Sequence, residues 1–84
     1  MKHKRPYRKA PLEAHHQMVM ERVGIYLKIS REDYGLTKKE AESDGHISRA
    51  LIDRIERGEI VTTQSLMRYM DYLEVDYSVL GELL

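Results

Sequence analysis

Gly35-Leu36-Thr37-Lys38-Lys39-Glu40-Ala41-Glu42-Ser43-Asp44-Gly45-His46-Ile47-Ser48-Arg49-Ala50-Leu51-Ile52-Asp53-Arg54-Ile55-Glu56-Arg57-Gly58 is the stretch on which the fold turns. It reads as two short helices joined by a tight corner. Thr37 and Glu40 match a capping box, in which the hydroxyl accepts a backbone N–H and the carboxylate reaches back to the cap. A helix of about two turns starts there. Ser43-Asp44-Gly45-His46 forms the corner, with Gly45 free to take the left-handed conformation. Ser48 caps the next helix, which runs to Arg57 and stops at Gly58.

Helical spacing puts Ile47, Leu51 and Ile55 on one side of that second helix, with Ile52 beside them. This seam faces the core, so Arg49, Ala50, Asp53, Arg54 and Arg57 point away from it. Charged residues on an outward face are ordinarily only solvated surface. Behind a tight corner, the same face can enter the DNA major groove, which admits one α-helix. An arginine near the front of the helix, such as Arg49, can then fork onto guanine O6 and N7, and the Ala50 methyl can meet a thymine methyl. Asp53 can accept from a cytosine amine, or orient Arg49 or Arg57 at four-residue spacing. Lys38 and Lys39 begin the first helix, where its positive end favours phosphates.

Outward from this unit the chain stays helical. From Leu12 to about Asp33 the apolar residues Val19, Val23, Tyr26 or Leu27, and Ile29 recur at helical spacing, with Gly35 as the stop. Thr62 or Thr63 can cap a fourth helix whose inner face carries Leu66, Tyr69 or Met70, and Leu73. Asp76 or Ser78 can start a last short helix with Val79, Leu80, Leu83 and Leu84. Ile60-Val61 is too short to form a sheet alone. The expectation is all-α: five helices, with a domain over residues 12–84 and a recognition helix at about 48–57.

The chain has 84 residues, the length of one small domain, and no cysteine, which excludes disulfides and thiolate metal sites. No apolar run approaches the length of a membrane span, and the N-terminus lacks a signal-peptide core. A cytoplasmic protein is expected. Formal net charge is zero, yet the charge is uneven. Lys2, Lys4, Arg5, Arg8 and Lys9 give residues 1–11 a charge of +5 with no acid, leaving −5 on the remainder. Residues 1–11 read as a flexible basic arm, kept out of regular helix by Pro6 and Pro11. Two readings of it stand: a solvated tail, or an arm that orders on phosphates or in a minor groove.

The segment closely resembles the helix-turn-helix of the Cro and lambda-repressor-like family, also called the XRE family. Val23-Gly24, Leu27 and Arg31 look like its first helix, and Gly35-Leu36-Thr37 like the approach to its second. Ile47-Ser48-Arg49, Ile52 and Ile55-Glu56-Arg57-Gly58 look like its recognition helix, and Ser65-Leu66 through Leu73-Glu74-Val75 like its fourth helix. The resemblance implies base contacts at Arg49, Ala50 and Arg54, and backbone or flanking contacts at Lys38, Ser48 and Arg57. It also implies a salt bridge between Arg31 and Glu56, which lies at the edge of the seam. The family's small residue and turn glycine, four apart, have counterparts in Ala41 and Gly45 one residue early. A gapless alignment places Glu42 and His46 there instead.

Other features carry less. His15 and His16 are adjacent, so they diverge by about 100° on a helix and suit no metal. No nucleophile–base arrangement, phosphate loop or carboxylate pair suggests an enzyme, and no cofactor is implied. Tyr69, Tyr72 and Tyr77 stand in for the absent Phe and Trp in the core, or cover a dimer surface. The expected function is sequence-specific binding of double-stranded DNA by a transcriptional regulator, a repressor bound as a homodimer to a palindromic operator. Leu80, Leu83 and Leu84 are its candidate dimer surface, or else cap the core. The alternatives are an antitoxin, which would bind a toxin partner as well, and a protein-interaction module derived from a DNA binder.

Overall fold

Hydroxyl caps set the starts of the three central helices. Thr37 Oγ1 accepts from Glu40 N (3.1 Å) while Glu40 Oε1 accepts from Thr37 N (2.8 Å), closing the capping box. Ser48 Oγ accepts from Leu51 N, and Thr62 Oγ1 from Ser65 N, each at 3.1 Å. In the computed structural model, which describes residues 5–83 and side chains from Ala14 onward, these caps open three of five helices. They are α1 (Arg5–Asp33), α2 (Lys38–Gly45), α3 (Arg49–Glu56), α4 (Thr63–Tyr72) and α5 (Ser78–Glu82). Among the described residues there is no strand.

The helices close around Val19, Val23, Leu27, Ala41, Ile47, Ile52, Ile55, Leu66, Tyr69, Met70 and Leu73. On α3, Ile52 and Ile55 are buried and Leu51 is half-buried, so the seam faces inward. On α4 both Tyr69 and Met70 are buried. The C-terminal end of α3 presses against α1. A Cβ on Gly24 would collide with the Ile55 carbonyl oxygen, and one on Gly58 would come within 2.8 Å of Glu21 Cα. Gly58 is also left-handed (φ 81°), so it combines a turn with a close approach.

Three expectations are corrected. The left-handed residue of the corner is His46 (φ 53°, ψ 41°), because α2 continues through Gly45. Gly45 serves space instead: a Cβ there would lie 3.0 Å from the Tyr72 ring. Pro6 and Pro11 do not exclude residues 5–11 from helix, since α1 begins at Arg5. Pro6 falls in the first turn, where a missing N–H has no intrahelical partner in any case. Ile29 is 52% exposed and not an inner residue, because the four-residue steps of Val19, Val23 and Leu27 carry the buried stripe around the other side of α1. Of the two readings of Leu80 and Leu83, packing on the core is the one seen: both lie half-buried against it. Leu84, Lys2, His3 and Lys4 lie outside the described residues, as do the side chains of Arg5, Arg8, Lys9 and Leu12.

Candidate nucleic-acid interface

With its seam buried, α3 turns Arg49, Ala50, Arg54 and Arg57 to solvent and leaves Asp53 about one-third exposed. The side chains of Arg49, Arg54 and Arg57 are 51, 49 and 62% exposed, enough for their guanidinium forks to reach a ligand. Ser48 stands exposed at the front of α3. Its hydroxyl oxygen is engaged as the cap, which leaves the O–H free to donate. Lys38 and Lys39 sit in the first turn of α2; Lys38 is on the same side as Asp53, its Nζ reaching Asp53 Oδ1 at 2.8 Å, and Lys39 is exposed.

The surface is cationic in outline but internally neutralised. Asp53 holds Lys38 and lies 3.9 Å from Arg49 Nε. Its carboxyl is held below the usual carboxylate range by the Lys38 hydrogen bond, with the positive charges of Lys38, Arg49 and Arg57 adding to it. Glu59 holds the other two arginines: its Oε1 accepts from Arg54 Nε at 3.2 Å, and its Oε2 from Arg57 Nε at 2.9 Å. Arg57 and then Arg54 keep the Glu59 carboxyl low as well. Glu42 accepts from the backbone N–H of Arg49 (3.3 Å). Among the described residues Lys39 makes no ion pair.

Behind this face lies a buried polar cluster that fixes its orientation. Arg31, 6% exposed, donates from Nε to Glu56 Oε2 (2.8 Å) and from Nη2 to Oε1 (3.2 Å). A third donation, from Nη1 to the Leu36 carbonyl (2.6 Å), ties in the α1–α2 loop. Tyr69 Oη donates to Glu56 Oε2, which brings in α4. Burial, then the negative Glu56 beside it, pushes the Tyr69 hydroxyl well above its ordinary pKa. Glu56 raises that of Arg31 too. No buried side-chain nitrogen or oxygen among the described residues lacks a partner.

Sequence reasoning placed Asp53 and Arg49 on one side but did not anticipate the Lys38–Asp53 contact, nor Glu59, Glu42 or the Tyr69 hydroxyl. Glu59 is five residues from Arg54, beyond helical pairing distance, and the chain reversal at Gly58 brings it back. Among the described residues no group of three or more metal-ligating side chains gathers.

This geometry is that of a helix-turn-helix unit, and comparison with known families agrees. A family model described as helix-turn-helix matches residues 27–80. The chain belongs to that family, of XRE type, and is a DNA-binding transcription regulator. No curated protein and no solved structure matches it.

Proposed function

We propose that the protein is a cytoplasmic repressor that binds a palindromic operator in double-stranded DNA as a homodimer. Arg49, Ala50, Asp53 and Arg54 read base edges in the major groove, while Lys38, Lys39, Ser48 and Arg57 hold phosphates. The observation that carries this reading is the free face of α3. Two arginines about half exposed flank the small, exposed Ala50, and the buried seam behind them leaves no other side of α3 to present. Bidentate arginine–guanine contacts are worth about 1–3 kcal/mol of discrimination each.

Selection of bound fragments from a random duplex pool tests it directly. A two-fold symmetric consensus with half-sites about one helical turn apart is expected. Arg49→Ala and Arg54→Ala should each relax the consensus at defined positions while leaving the melting temperature nearly unchanged. Recovery of no consensus, or arginine variants that lose stability without losing sequence preference, would refute the assignment.

A further inference from the structure

One side of α1 is used by the fold and the other is not. Val19, Val23 and Leu27 are buried, and the same stripe continues to Arg31. On the opposite side Met18, Ile25 and Ile29 are 36, 58 and 52% exposed. At about 100° per residue these three fall on one line along the helix. The flanks of that line are charged, with Glu21 and Lys28 seven residues apart on the same flank. Among the described residues neither makes an ion pair. An apolar line bordered by unpaired charges on a long helix is the pattern of a helix that packs against another helix.

We propose that this face is a self-association surface, pairing α1 with α1 of a second copy in antiparallel orientation. It rests on the dimeric reading given above and deepens it by assigning the surface that makes the dimer. Charge selects both the partner and the direction. In an antiparallel pair, equivalent flanks meet, so Glu21 of each copy lies beside Lys28 of the other, twice by symmetry. That register places Ile25 at the two-fold axis and Ile29 between Met18 and the Arg22 stem of the second copy. A parallel pair would instead set Arg22 against Arg22 and Glu32 against Glu32 in the seam. It would also bring two N-terminal segments of charge +5 side by side. The face is therefore complementary to itself in one direction only.

Analytical ultracentrifugation of the full chain without DNA tests the proposal independently of operator binding. The wild type should sediment as a dimer. Ile25→Glu combined with Ile29→Glu should give a monomer with unchanged helicity, since both residues are outside the core, and with a melting temperature that no longer rises with protein concentration. Glu21→Lys and Lys28→Glu should each weaken the dimer about tenfold, and the two together should restore it. A wild-type monomer at concentrations up to about 1 mM, where even weak pairs form, would overturn the proposal. So would a dimer that survives both glutamates, or a double charge swap that fails to restore pairing. A monomer that still selects an operator would sink this surface and leave the DNA-binding reading standing. A dimer that binds no DNA would do the reverse.

Discussion

Glu56 is the most constrained side chain in the protein, because it takes a fork from Arg31 and a hydroxyl from Tyr69 while nearly enclosed. Removing it leaves a guanidinium buried without its charge partner, which costs about 3–5 kcal/mol in comparable settings. Removing only the Tyr69 hydroxyl leaves the ion pair intact and costs about 1–3 kcal/mol. Urea denaturation should therefore rank Glu56→Ala well below Tyr69→Phe in stability. Equal, small effects would show that the cluster adds little. Gly24 makes a separate demand. Any Cβ there strikes the Ile55 carbonyl, and neither helix can yield without moving the recognition face. Gly24→Ala should lose about 3 kcal/mol, the upper end for overpacking, and a neutral result would mean that α1 and α3 slide freely. The Arg31–Glu56 partnership could be inferred from family pattern. Tyr69 could not, because spacing says that a tyrosine faces inward but not which acid its hydroxyl meets.

At the scale of the element, α3 was the most legible part of the chain. Its periodicity, its serine cap and its terminal glycine all agree, so its buried and free faces follow from the residues alone. The corner before it was less so. Gly45 offers the freedom that a left-handed turn needs, and local chemistry favours it. The structure spends that glycine on close approach to Tyr72, a long-range neighbour that spacing cannot reveal, and leaves His46 in the left-handed position. The charge state of the face was equally hidden, since Glu59 returns to it only through the turn at Gly58. Glu59 occupies the two arginines to which the proposed binding mode assigns a base and a phosphate. That mode displaces it, so Glu59→Gln should raise affinity for any duplex about three- to tenfold at low salt while narrowing the gap between operator and random DNA. Fluorescence anisotropy on both duplexes measures this. Unchanged affinity would mean that Arg54 and Arg57 already bind elsewhere. A higher affinity that survives molar salt would point to a non-electrostatic cause.

For the molecule as a whole, α1 separates what periodicity can and cannot say. Apolar residues occur on two sides of it, and the spacing of Ile29 from Val19 and Val23 does not reveal which side the other helices cover. Only packing decides that Leu27 is inside and Ile29 outside. Charge along the chain is unbalanced in a way that composition conceals, since +5 at residues 1–11 offsets −5 elsewhere. A body of that sign repels a polyanion at long range, so approach to DNA depends on where the positive charge is concentrated. Each phosphate neutralised releases counterions and adds about 0.9 to the slope of log affinity against log salt. If the N-terminal lysines and arginines engage phosphates, deleting residues 1–9 should lower that slope by about one for every phosphate they had neutralised. Affinity should fall alike on operator and random DNA, because phosphates carry no sequence information. The α3 variants make the contrasting case: substitution of Ala50 should change the consensus with little effect on the slope, and Arg49→Ala should lose base discrimination. Titrations at several salt concentrations with the full and shortened chains distinguish the two. Identical slopes would assign the basic segment no part in binding and leave Lys38, Lys39 and Arg57 to carry the whole electrostatic attraction.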